Sequence, residues 1–376
     1  MVVSIAVRCV AAAVGALLVL IGWSSLIGTL VVARPVASFL TRWVDWVIVG
    51  TYRVFTDRVG EFHTRDRVLA TQAATILLAQ LGAWMGIIFT GFALLLWPFA
   101  RAGIASAFID AGSSMFTLGF AEPTGGAPDV LVFLAAVSGL VVVALQVGYL
   151  PTLYASFNRR ETEVALLNAR SGSPSWGPEL LARTYYALGT GESTLDTLPE
   201  LYSRWERWAA DVAESHTTYL PLVRFRSPRW RSSWITALIA VLDSAALLLS
   251  LAPERAPVVE ARLCLRGGKD CFIRISQAMG YDVPDEADPD SGISLTFDEF
   301  RYAVSRLEKV GFPMSRAPED AWHDFVGWRL NYERPAYLIA EAVDAVPAMW
   351  SGPRRRATPQ LTPVRPPPGR RTMGNK

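Results

Sequence analysis

The sequence predicts an all-α membrane protein with three transmembrane helices, a short re-entrant segment between the last two, and a helical cytoplasmic domain. Three observations predict it. Hydrophobic residues make up 51% of the 376 residues and charged residues only 19%, below the quarter or so of an ordinary soluble protein. Charge is absent from three long stretches, 9–33, 68–100 and 130–158. Each exceeds the roughly 20 residues a helix needs to cross a hydrocarbon core of about 30 Å. From residue 159 onward, apolar residues recur at helical spacing.

The first stretch is too long for the apolar part of a signal peptide, about 7–15 residues, and reads as an N-terminal transmembrane helix over 1–34. Segment 35–67 mixes Trp43, Trp46 and Tyr52 with Arg42, Asp45 and Arg53. That pattern predicts an amphipathic cytoplasmic-side segment, at the interface or packed on the bundle. Stretches two and three, with their connection, form a module over 68–158. Ser232 to Leu251 is a fourth apolar run, but Asp243 sits near its middle, at a cost of about 2.5–3.5 kcal/mol in a bilayer. It is expected to be a buried helix of the 159–352 cytoplasmic domain, with a fourth span as the alternative. The tail, 353–376, carries seven bases, no acids and many prolines. It is expected to be disordered, either solvated or touching anionic lipid headgroups.

Basic residues set the expected orientation. Six arginines lie between Arg34 and Arg67, and Arg159-Arg160 follow the third stretch, whereas 101–129 holds only Arg101 against Asp110, Glu122 and Asp129. Basic loops stay cytoplasmic. The expectation is a multi-pass protein of the cell membrane, its N-terminus outside and its C-terminal domain cytoplasmic.

Chemistry concentrates in 101–129. A short apolar helix, AGIASAFIDAGSSMF, leads into Thr117, Leu118, Gly119, Phe120, Ala121, Glu122 and Pro123. A half-length helix followed by a glycine-containing turn between two spans describes a re-entrant loop, tolerated where protein or a water-filled cavity covers it. A ring of such loops can line a pore with backbone carbonyls.

This arrangement resembles the pore module of the potassium-channel superfamily. It is also similar to actinobacterial membrane proteins of the two-pore-domain-like potassium-channel kind. The resemblance implies an outer helix, a pore helix, a filter-like loop and an inner helix within 68–158. It assigns a selectivity filter to Thr117, Leu118, Gly119, Phe120 and Ala121. Ser113 and Ser114 match the Ser/Thr-rich end of family pore helices. Ala121 departs from the pattern, standing where the family has a second filter glycine, a position costly for a Cβ. The implied function is a cation channel, potassium-like, with four copies of the chain around one pore. The alternative is a non-conducting membrane-anchored scaffold or sensor that keeps the pore architecture.

Other residues carry paired readings. Asp110, at the pore mouth, is a pore-helix anchor or a solvated vestibule acid. Glu122 and Asp129 concentrate cations at the mouth or are plain loop polarity. Gly139 and Gly148 are gating hinges or close-packing contacts. Pro151 removes a helical hydrogen bond and is expected to kink the third span, as at a gate.

Several classes are not expected. The net charge of +2 suggests no nucleic-acid partner. Cys9, Cys264 and Cys271 form no CxxC pair, and His63, His216 and His323 are isolated. No metal site, no cofactor beyond a permeant monovalent cation, and no nucleophile–base–orienter set of an enzyme is read. An EF-hand in the acidic loop before Gly292 fails on register, with Ala287 and Pro289 at ligand positions.

Within the domain, helices are expected at 179–187, 198–215 and 232–251. A glycine turn is expected at Gly267-Gly268, a capping box at Thr296–Glu299, and separate helices from Pro318 and over 336–345.

Overall fold

The computed structural model describes residues 5–32, 38–100, 102–121, 125–187, 192–352 and 358–364. Among these the chain is helical, with no β-strand. Four of its helical segments are long and apolar enough to cross a membrane: Ile5–Leu30, Phe62–Phe99, Ala127–Ser171 and Trp234–Leu251. The chain divides into two compact units, 1–60 with 68–155, and 61–67 with 156–376.

The first unit contains α1 (Ile5–Leu30), α2 (Phe39–Thr56), α4 (Gln72–Leu96), α5 (Ile104–Met115) and the first part of α6 (Ala127–Ser171). The intervening α3 (Phe62–Leu69) belongs mostly to the second unit. α1 and α4 meet through glycine. A Cβ at Gly15 would lie 2.5 Å from the Gly91 carbonyl oxygen, and one at Gly91 would lie 2.8 Å from the Gly15 carbonyl oxygen. Between apolar helices in lipid the drive to associate is packing, so small residues that let backbones touch take the place of a hydrophobic gain. Two indoles add polar ties: Trp84 Nε1 donates to Ser25 Oγ at 2.9 Å, and Trp23 Nε1 to Ser138 Oγ at 3.3 Å.

α2 is amphipathic, as its sequence predicts. Ser38 caps it by accepting from the Thr41 N–H. Thr41, Val44 and Thr56 are buried, and Gln80 on α4 donates to Asp45. Phe39, Trp43 and Trp46 are exposed on the other side. Arg34 and Arg101, used in the orientation argument, lie outside the described residues.

The second unit is built around α10 (Trp234–Leu251), in which every residue is buried. Around it lie α7 (Gly177–Ala187), α8 (Leu198–Thr218), the single turn α9 (Pro221–Arg224), α11 (Val258–Ala278), α12 (Phe297–Glu308) and α13 (Pro318–Ala342). α10 is thus apolar because protein surrounds it. Asp243 is paired inside that core through one oxygen: its Oδ1 accepts from Arg329 Nη1 at 2.6 Å and from the Tyr332 hydroxyl at 2.7 Å, while Oδ2 has no hydrogen-bond partner among the described residues. Arg329 also donates to Glu333 Oε2 at 2.5 Å and to the Trp350 carbonyl at 2.8 Å. A buried charge needs such a shell.

Three expectations change here. Gly267-Gly268 is no turn, because α11 runs through it. Gly268 is needed for helix packing instead: a Cβ there would fall 2.5 Å from Leu242 Cδ2. The separate helices from Pro318 and over 336–345 are one helix, α13, with Pro335 inside it. Segment 358–364 of the tail is ordered against the second unit: Leu361 N–H donates to the Pro347 carbonyl, and Arg231 and Arg183 donate to the carbonyls of Thr362 and Val364. The remaining tail residues lie outside the described ones. The capping box at Thr296 and Glu299 is present.

Candidate functional site

α5 is a half-length helix held on two sides. Ala107, Ala111 and Met115, spaced by four, are buried. On one side Phe89 of α4 meets Phe108 edge-on at 5.4 Å and Phe116 at 5.8 Å. On the other, a Cβ at Gly139 of α6 would sit 2.0 Å from the Met115 carbonyl oxygen. Gly139 is therefore where the end of α5 rests on α6, the close-packing alternative of its two readings. Gly148 is exposed and has open space, and α6 continues through Pro151.

After Met115 the chain turns back over the helix end. Thr117 takes φ 54° and Gly119 φ 71°. Leu118 N–H donates to the Ser113 carbonyl oxygen at 2.8 Å, and Gly119 N–H to the same oxygen at 3.3 Å. Phe120 and Ala121 N–H donate to Ser113 Oγ at 3.1 and 3.0 Å. Four consecutive amides thus converge on one residue, and Ser113 is itself buried. Alternating left-handed positions are how successive amides come to face one concavity.

The carbonyls follow from peptide geometry. In a trans peptide the C=O of one residue lies antiparallel to the N–H of the next. With the amides of 118–121 turned to Ser113, the carbonyl oxygens of Thr117, Leu118, Gly119 and Phe120 turn away from it. Among the described residues no donor meets those four oxygens. Leu118 and Phe120 are 61% and 66% exposed, large apolar residues left uncovered in a single chain.

The expected strain at Ala121 is absent. Positive φ in this loop falls at Thr117 and Gly119, and Ala121 is not among the left-handed residues. The demand for a residue without a Cβ at 121 thus disappears, and the strained position is the β-branched Thr117. In the sequence Ser113 stands out only as a family match, and its bonding to Phe120 and Ala121 leaves no mark there. A hydroxyl accepting from amides seven and eight residues ahead leaves no periodic trace.

The pore-mouth candidates divide. Asp110 is half-buried on α5, with no ion pair among the described residues. Asp129 occupies the first turn of α6, where a negative charge is favoured by the helix dipole. Glu122 lies outside the described residues. No protein-family model, curated protein or solved structure matches the chain, so the reading of this site rests on its own geometry.

Proposed function

We propose that this protein is a homotetrameric cation channel of the cell membrane, potassium-like in its ion, with the loop Thr117 to Ala121 as its filter. One observation carries the reading: the amides of Leu118, Gly119, Phe120 and Ala121 all turn to Ser113, which by peptide geometry turns the carbonyls of Thr117 to Phe120 away from it, and among the described residues no donor meets them. Carbonyls so presented replace the hydration shell of a monovalent cation when several loops face one axis. A single chain has one such loop, so four copies are required. The uncovered Leu118 and Phe120 are apolar surface for copies to bury.

In this reading α4 is the outer helix, α5 the pore helix and α6 the inner helix, with α1 a further span packed on α4. The N-terminus lies outside and the second unit in the cytoplasm. The permeant cation is the ligand, and no enzymatic chemistry is involved.

Purified protein in planar bilayers under a potassium gradient tests the proposal. Current reversing near the potassium equilibrium potential, from a protein of four chains by native mass spectrometry, supports it. A strict monomer or dimer overturns it. A silent tetramer leaves the scaffold reading in its place. Cysteine labelling tests orientation: a cysteine at Gly125 labels from outside intact cells, and one at Arg170 only after permeabilisation.

A further inference from the structure

We propose that Ser113 is a positioning residue for ion selectivity, its hydroxyl anchoring the amides of Phe120 and Ala121 and with them the outer carbonyls of the loop. The inference rests on the conduction reading above and deepens it. The alternation of left-handed residues stops after Gly119, because Ala121 has ordinary φ. Backbone conformation alone therefore does not fold Phe120 and Ala121 back against the helix end. Ser113 Oγ does so, accepting from both amides at 3.1 and 3.0 Å.

The two acceptors of Ser113 divide the task. Its carbonyl oxygen takes the amides of Leu118 and Gly119, and this survives any side-chain substitution. Its hydroxyl takes the amides of Phe120 and Ala121, and so orients the carbonyls of Gly119 and Phe120 through their peptide planes. Removing the hydroxyl leaves two amides without an acceptor and lets the outer two carbonyls rotate. The spacing of carbonyl oxygens determines which cation fits. The loss is therefore expected in discrimination between ions, whereas assembly depends on α4, α5 and α6.

The hydroxyl is well placed for this. Ser113 is 1% exposed, so water does not substitute for it freely. The neighbouring Ser114 hydroxyl donates back to the Asp110 carbonyl at 2.8 Å and is committed within the helix.

The test compares wild type, Ser113→Ala, Ser113→Thr and the control Ser106→Ala, whose hydroxyl donates to the Gly103 carbonyl within the first turn of α5. All are purified as full chains and checked for tetramers. Reversal potentials are read with potassium on one side and sodium on the other, and amide exchange of the loop is followed by mass spectrometry. Ser113→Ala is expected to lower the potassium-to-sodium permeability ratio about tenfold or more and to speed exchange at 120–121 by a similar factor, as loss of a buried acceptor implies. Ser113→Thr keeps both values near wild type, as does Ser106→Ala. An unchanged reversal potential in a tetrameric Ser113→Ala overturns the proposal. A wild type that conducts while its amides at 120–121 exchange freely overturns the anchor alone. A silent wild type with protected amides overturns conduction, and the selectivity role with it.

Discussion

Arg65 donates to both carboxylate oxygens of Asp344, Nε to Oδ2 at 2.5 Å and Nη2 to Oδ1 at 3.3 Å, across 279 residues of sequence. The next residue, Asp66, accepts from Arg226 Nε, and Arg226 also donates to the carbonyls of Val343 and Asp344 at the end of α13. Guanidinium groups there satisfy carbonyls that the helix leaves open. Segment 61–67, just before α4, is thereby part of the second unit. So is the later part of α6, where Arg160 donates to the carbonyls of Leu222 and Phe225 at 2.8 and 2.7 Å. In sequence, the second unit thus includes residues on both sides of 68–155.

The two partners of the Arg65 pair are unequal, which yields the first prediction. The Arg65 side chain is 4% exposed and that of Asp344 33%. Removing the acid strands a buried guanidinium, whereas removing the base leaves a carboxylate that water reaches. Asp344→Asn, chosen because Asn tolerates the φ of 48° found there, is expected to cost about 3 kcal/mol. Arg65→Leu is expected to cost less. Thermal unfolding of the full chain in detergent checks the order, and equal losses would contradict the assignment.

His216 carries the pH prediction. Its Nε2 lies 3.0 Å from Arg160 Nη1 and its Nδ1 3.0 Å from Ser215 Oγ, with the Trp234 ring packed beside it. Arg160 only donates, so Nε2 accepts and the proton sits on Nδ1. Burial, together with the Arg160 charge, holds the imidazole well below its ordinary 6.5. Above pH 6.5 the ring is neutral in both folded and unfolded chains, and its contribution is complete. As pH falls below 6.5 the unfolded chain takes up a proton that the folded chain refuses. Stability then declines by about 1.4 kcal/mol per pH unit until the folded value is reached. The melting temperature of wild type should fall more steeply between pH 6.5 and 5 than that of His216→Gln. Parallel curves would remove His216 from the account.

The glycine contact of α1 with α4 gives a matched pair. Gly91→Ala places a methyl 2.7 Å from Val19 Cγ2 and 2.8 Å from a backbone oxygen, whereas Gly86→Ala on the same helix meets nothing within 4 Å. Overpacking of this kind costs about 1–3 kcal/mol. Gly91→Ala should lower the melting temperature, while Gly86→Ala should leave it unchanged or raise it slightly. Equal behaviour of the two would mean that α1 does not pack on α4 through this contact.

Much of this organisation is legible in the sequence alone. Long charge-free runs mark apolar helices because a single buried charge is expensive, and Asp243 flagged α10 for the same reason. The half helix α5 and the loop after it were legible from length and punctuation. What escaped the sequence depends on distance. Arg65 and Asp344 are far apart in the chain, and neither differs from a surface residue in its neighbours. Gly267-Gly268 and Pro335 carry the usual signs of a break, yet both sit inside helices. The sequence puts the demand for a permissive residue at 119 and 121, whereas the backbone places it at 117 and 119.

That last displacement yields the final prediction. Gly119 has φ 71° with open space around it, so Gly119→Ala adds no clash and its penalty is conformational. A left-handed residue with a Cβ costs about 1–2 kcal/mol. The variant is expected to loosen the loop and reduce potassium current in bilayers. Ala121→Gly releases no strain, since Ala121 is not left-handed, and adds freedom at a position held by Ser113. It is expected to leave current and selectivity near wild type or slightly lower. If the filter instead needs glycine at 121, Ala121→Gly would increase potassium current or selectivity over sodium. Thr117→Gly separates strain from chemistry: it relieves the φ of 54° but removes the threonine hydroxyl, four of them in the proposed tetramer. A gain in thermal stability with a loss of ion affinity is the expected signature. Current unaltered by all three substitutions, in a protein that still conducts, would place the permeation path elsewhere.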